Sequence, residues 1–252
     1  MVTVDLNSDI GEGFGDYVLG DDAAILGIVS SANVACGFHA GDPEIMARTF
    51  SLARERGVVA GAHPGFPDLW GFGRRKMPFS TGEIERLVAY QIGAAQALSA
   101  YAGHPVRYVK PHGALSNMAI ADTQIAQAIC RAVCAVDASL VYLAPARTHQ
   151  ERCAREAGLI TRAEVFADRA YMPDGSLMPR SMPGAVLSDI DAVVARALRM
   201  VRGGYIETPD GAQIATPVDS LCVHGDSPAA VDMARALRNR FEHEGIVVRG
   251  FV

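Results

Sequence analysis

At 252 residues, half of them hydrophobic and a fifth charged, the chain can bury a sizeable core and lacks a disordered composition. A formal net charge of −5 argues against a general affinity for nucleic acid or an anionic membrane surface. No apolar run is long enough to span a bilayer, and the N-terminus enters a strand pattern without the segments of a signal peptide. The five cysteines (36, 130, 134, 153 and 222) are odd in number and form no CxxC pair, which suits thiols in a reducing cytoplasm.

The first stretch, Asp5 to Tyr17, begins as an alternating strand and leaves it through four acids, an amide and three glycines. Glycine permits sharp turns and close approach to a ligand, so this exit is expected to form one wall of a site. A short helix is expected from Asp21 to Val29 and a second strand from Ala32 to Cys36. Asp42 and Pro43 read as cap and first position of a helix that ends at Gly57. Val58 to Ala62 is a third strand, followed by a long loop, Phe66 to Pro78, of the size used for functional lids. Ser80 or Thr81 with Glu83 opens a helix running to about Tyr101. Val106 to Val109 then precedes a helix from about Asp122 to Val136.

Further strands are expected at Leu140–Leu143, Arg162–Phe166 and Asp219–Val223, with helices near Thr148–Ala157, Asp189–Val201 and Pro228–Glu244. Between them lie a Pro-, Gly- and Met-rich loop, Met172 to Val186, and a hairpin whose turn contains Pro209-Asp210-Gly211. No linker or repeat divides residues 1–252, so one domain is expected. Alternating strands and helices imply a parallel sheet, and seven such units in this length favour an irregular closed barrel over an open doubly wound sheet.

Sites of parallel barrels lie at the carboxyl ends of the strands. There the exits carry Asn7/Asp9/Glu12, His39/Asp42, His63/Asp68, Lys110/His112, Asp168/Arg169 and His224/Asp226. The fold would bring these sets to one rim, although a single His beside Gly is more often a loop hydrogen-bonder than a catalyst. Asp21, Asp22 and Asp42 read equally well as helix caps, and Arg74-Arg75-Lys76 as either a solvated face or an anion contact. Gly11-Glu12-Gly13-Phe14-Gly15 ends in Asp16 where a dinucleotide loop has glycine, and no GxxxxGK[ST] occurs. The His/Asp mixture suits a divalent transition metal by ligand type, but no HxxxH or HxH pair supports one by spacing, and no metal ligands are assigned.

The motifs around Asp5–Gly15, Ser31–Pro43, Gly61–Asp68, Gly71–Arg75, Val109–Leu115, Phe166–Tyr171 and Val223–Asp226 closely resemble the LamB/YcsF family. The resemblance implies an irregular seven-stranded, TIM-barrel-like fold related to the glycoside hydrolase/deacetylase superfamily. It also implies opening of the cyclic amide of 5-oxoproline to glutamate, coupled to ATP hydrolysis, in a complex with 5-oxoprolinase subunits B and C.

That chemistry asks for cations at a phosphate or oxyanion (Lys110, Arg169), a general base for water (Asp9 or Glu12) and an acid for the leaving nitrogen (His112 or His63). Asn7 and Asn33 are expected to orient substrate. His39, Asp168, His224 and Asp226 are expected to complete its binding surface. The competing readings are a stand-alone metal-dependent deacetylase or amidohydrolase and a non-catalytic protein that only binds substrate for its partners.

Overall fold

The computed structural model describes residues 1–223 and 228–252. In chain order the strands are β1 (Thr3–Ile10), β2 (Ser31–Ala35), β3 (Val59–His63), β4 (Val106–Val109), β5 (Val141–Pro145), β6 (Thr161–Phe166), β7 (Tyr205–Glu207), β8 (Gln213–Ala215), β9 (Ser220–Cys222) and β10 (Val247–Val248). The helices are α1 (Asp22–Leu26), α2 (Pro43–Arg56), α3 (Thr81–Ala102), α4 (Gly113–Ala121), α5 (Thr123–Asp137), α6 (His149–Glu156), α7 (Ile190–Gly203) and α8 (Pro228–His243).

Seven parallel strands pair in the order β1–β2–β3–β4–β5–β6–β9, and β9 returns to β1, closing an irregular (β/α) barrel. The N-terminal end of β1 pairs instead with β10, Thr3 opposite Val247 and Val4 opposite Val248. β7 and β8 form a separate antiparallel hairpin. Strands covered on both faces should be buried nearly throughout, and all five residues of β2 and of β5 are.

The expected caps are present. Asp42 accepts from the backbone N–H groups of Glu44 and Ile45. Ser80 and Glu83 form a reciprocal capping box, and Gly57 ends α2 with φ 66°. One helix escaped the sequence reading: α4 starts directly after His112, where only a loop was expected. Its segment, Gly-Ala-Leu-Ser-Asn-Met-Ala-Ile-Ala, is apolar on nearly every side, so no periodicity marks it. Asp122 both ends α4 and caps α5 by accepting from Gln124 N–H.

Two apolar clusters cover the outside of the barrel. One, centred on Phe50, Ile84, Ile92 and Ile129, packs α2–α5 onto the sheet, and the other joins α7 and α8 to β1 through Leu6, Met200 and Phe241. At its N-terminal end the barrel is stopped by Tyr108, which packs with Leu143 and stacks edge-on against Phe251 at 5.0 Å. A side chain at position 61 would collide with the Tyr108 ring, so Gly61 is what lets the ring fill this end. Among the described residues no helix is long and apolar enough to cross a membrane.

Candidate active site

The barrel interior is polar, because the inward positions of β1 are Asp5, Asn7 and Asp9, two residues apart on one face. Each recruits different partners. Asp5 accepts from the hydroxyls of Ser30 and Ser31, both at 2.6 Å, and from Ser220. Burial pushes its carboxyl up to about 6, against the three hydroxyls and with a smaller push from Glu164.

Above it, Asn33 donates to Asn7 Oδ1 at 2.8 Å and to Asp9 Oδ1 at 2.7 Å, while Tyr108 Oη donates to Asn33 Oδ1 at 2.6 Å. Asn7 Nδ2 donates to Ser220 Oγ at 2.7 Å. Both asparagines are fully buried under the site. They set the positions of Asp9 and Lys110 and do not line the cavity, contrary to the expectation that they touch substrate.

Lys110, at the end of β4, lies between two carboxylates: Nζ is 3.0 Å from Asp9 Oδ1 and 2.8 Å from Glu164 Oε1. It also donates to Asn7 Oδ1 at 3.1 Å and approaches Cys222 Sγ at 3.4 Å. Burial works against the ammonium, but Asp9, Cys222 and Glu164 outweigh it and hold Lys110 well above its ordinary value. Burial likewise raises Asp9, yet His63 and Lys110 outweigh burial and keep its carboxyl well below the usual carboxylate range. A short-range ion pair thus stays charged in the barrel centre.

The histidines form a second group. His63 Nδ1 lies 2.6 Å from the Lys110 carbonyl, which only accepts, so this nitrogen donates and Nε2 is left facing the cluster. His112 Nε2 is 2.8 Å from the Phe72 carbonyl, which leaves its lone pair on Nδ1. These two atoms face each other at 2.9 Å. His39 stacks on His112 with ring centroids 3.7 Å apart, and its Nε2 is 3.4 Å from Glu12 Oε1.

Burial and the neighbouring His63 push His112 down to about 3, which disfavours the protonated ring that the proton donor expected from sequence would need. Burial and His112 lower His39 as well. Burial and the charge of Asp9 raise Glu12 well above the ordinary range. One ligand atom from each of Glu12, His39, His63 and His112 lies within 4.8 Å of all the others. Spacing missed this cluster because each donor leaves a different strand, β1 to β4.

A cavity of about 410 Å³ opens beside these groups, lined by Asp9, Glu12, His63, Lys110, His112 and Glu164 and also by Arg74, Arg169 and Arg180. Of the paired arginines on the first long loop, Arg74 faces the cavity and Arg75 is bound to Asp68, which takes Asp68 out of the expected rim. That loop is tied down: Gly73, at φ 63°, lies where a Cβ would come within 2.7 Å of His39 and 2.9 Å of His112.

Arg169 lines the cavity, and it also anchors the second loop by donating to the carbonyls of Met178 at 2.6 Å and Ala185 at 3.2 Å. Asp168 does not line the cavity; its carbonyl accepts from Leu187 N–H. Asp22 is not only a cap neighbour, since it accepts from Gly11 N–H at 3.0 Å and lines the wall. His224 and Asp226 lie outside the described residues. Sequence reasoning missed Glu164, Arg180 and Cys222. A glutamate inside an otherwise buried strand was the available signal for the first, since such a charge needs a partner.

Fold and centre define a parallel barrel carrying a carboxylate–lysine pair and a histidine group at its strand ends. The chain matches the LamB/YcsF family over residues 4–252 and belongs to that family. It is 59% identical to the A subunit of 5-oxoprolinase from Gluconobacter oxydans (strain 621H), over 98% of this chain and 97% of that protein. Its counterpart of the same name from Azorhizobium caulinodans is 57% identical over 100% and 99% of the two chains. The crystal structure of a lactam utilization protein from Thermus thermophilus superposes with a TM-score of 0.94 at 47% identity, covering 98% of this chain and 99% of that one. A deacetylase structure at 14% identity and TM-score 0.51, covering 98% and 87%, shares the fold.

Proposed function

We propose that this protein is the A subunit of a 5-oxoprolinase, opening the lactam of 5-oxoproline to glutamate with ATP as co-substrate and with subunits B and C as partners. The observation that carries the reading is the Asp9–Lys110–Glu164 centre lining a cavity that is also lined by three arginines, in a chain 59% identical to a protein of that name. Residues 1–252 act as one barrel domain in this reading.

A lactam is a stable amide, and phosphoryl transfer from ATP to its oxygen makes C5 electrophilic. Water then adds at C5, the C5–N bond breaks as the nitrogen takes a proton, and a second water releases phosphate from the acyl phosphate. Lys110 stands where an ammonium would stabilise negative charge developing on oxygen. Arg74, Arg169 and Arg180 suit the carboxylate of the substrate and the phosphoryl group.

Asp9 takes the proton from water. A carboxylate held so low is a weak base, which suits a carbon already activated by phosphorylation and not an unactivated amide. His63, His112, Glu12 and His39 support or complete the reaction centre, and Asn7 and Asn33 position the ion pair. The testing experiment is an assay of glutamate and ADP release with the three subunits together. ATP-dependent glutamate release, lost when this chain is omitted, is the expected result. Turnover by this chain alone without ATP would favour a stand-alone amidohydrolase, the reading to which the Glu12/His39/His63/His112 cluster lends weight.

A further inference from the structure

We infer that Glu12, His63 and His112, with His39 as fourth donor, form a binding site for one divalent transition-metal ion of the zinc type. The Lys110 carbonyl fixes the N–H of His63 on Nδ1, and the Phe72 carbonyl fixes that of His112 on Nε2. The remaining nitrogens therefore aim two lone pairs at each other across 2.9 Å. Asp9 Oδ2 lies 3.3 Å from the same His63 nitrogen, and Glu12 Oε1 lies 3.7 Å from the same His112 nitrogen.

So many acceptors converge on one point only if something positive lies among them. A proton on His63 would satisfy one of these pairs. It would leave Glu12 Oε1 and both nitrogens of His39, all buried, without a hydrogen-bond partner among the described residues. Buried polar atoms are nearly always satisfied, so a proton on His63 is too little, and a second on Glu12 would still leave a His39 nitrogen unanswered. A metal ion answers all four residues at once.

The donor set is three imidazoles and a carboxylate, the ligand types of zinc and its neighbours. Donors around a tetrahedral zinc ion are about 3.3 Å apart for bonds of about 2.0–2.1 Å. The observed His63–His112 and His112–Glu12 separations of 2.9 and 3.7 Å bracket that spacing, and all four donors lie within 4.8 Å of one another. The outer contacts have the expected form too, since ligand histidines characteristically donate their other N–H to a backbone carbonyl. Glu12, His63 and His112 line the cavity, which leaves one side of the site open to a small molecule, while His39 lies behind them and joins by turning its ring out of the stack with His112. An ion there supplies a Lewis acid at the cavity wall.

Binding is read without turnover, so the result is independent of the lactam reading. The full chain, with any affinity tag removed, is stripped by chelator dialysis and titrated with zinc by calorimetry, then reloaded with cobalt(II). The expected result is one equivalent bound, with visible cobalt absorption for nitrogen and oxygen donors and without a strong thiolate band. His112→Gln and Glu12→Gln should each weaken binding at least about tenfold, while His104→Gln leaves it unchanged. Circular dichroism identifies any variant that fails to fold, and the other variant then gives the reading. Absence of stoichiometric binding to the natively folded chain overturns the inference, as does unchanged affinity in the folded variants; a thiolate band would place the ion at Cys222 instead and overturn it equally.

Discussion

Two aspartates on one strand show how the barrel treats charge. Asp5 and Asp9 face the same interior, four residues apart, and both sit among polar side chains. Asp5 has three hydroxyls as hydrogen-bond donors and no cation among its described partners, and burial wins, raising its carboxyl to about 6. Asp9 has His63 and Lys110, and they win, holding it well below the usual range. Hydrogen bonds from hydroxyls therefore do not replace a cation in a low-dielectric interior. The lower layer is a packing device that tolerates a proton, and the upper layer is a permanently charged pair facing the cavity.

Removing the cation should make the upper layer behave like the lower one. Lys110→Ala leaves Asp9 and Glu164 facing each other without a counter-charge, and it should cost about 3–5 kcal/mol at neutral pH in a urea titration. Part of that loss should return on acidification, as protonation of Asp9 removes the like-charge repulsion. Turnover of the assembled complex should fall about 10³-fold. Unchanged stability between pH 5 and 8 in this variant would show that Lys110 is not what keeps the layer ionised.

Asp5→Asn probes the other layer. The wild-type carboxyl moves from 3.8 unfolded to about 6 folded, so the folded state holds the proton more tightly. Its stabilising contribution is complete below pH 3.8 and is lost as pH rises through 6. At about 1.4 kcal/mol per pH unit the difference is on the order of 3 kcal/mol. The asparagine variant should lack this loss between about pH 4 and 6, measured by urea unfolding across that range.

Asp9→Asn keeps shape and removes charge. It should lower kcat about 10²-fold and also lower the melting temperature, less than Lys110→Ala does because Glu164 still faces Lys110; full activity in the assembled complex would remove Asp9 from the reaction. The smallest effect is expected outside both layers: Arg180→Ala on the cavity wall should raise KM for 5-oxoproline or ATP about tenfold and leave kcat within about threefold. A pure kcat effect would place Arg180 in the chemical step.

Much of the barrel was legible because its signals are local. Alternation and buried runs marked the strands, and Asp42-Pro43 and Ser80 with Glu83 marked helix starts, within a residue or two of where they occur. α4 was not, since a uniformly apolar segment carries no helical period. Of the rim, Asp9, Glu12, His63, Lys110 and His112 do converge on one cavity. The roles of Asn7 and Asn33 were not readable, because being inward-facing on a strand does not say whether a side chain ends at the cavity or below it. The histidine cluster was legible as a convergence of strand exits but not as a ligand set, since its four donors are separated by 27, 24 and 49 positions in the chain and meet only through barrel closure.

Tyr108 has a consequence for traffic. With its ring wedged over Gly61 and against Phe251, the barrel is a cup and not a pipe. The N-terminal end is closed to traffic, so the arginine-lined side serves as a doorway for substrate and product. Any partner seated across that doorway would meter both.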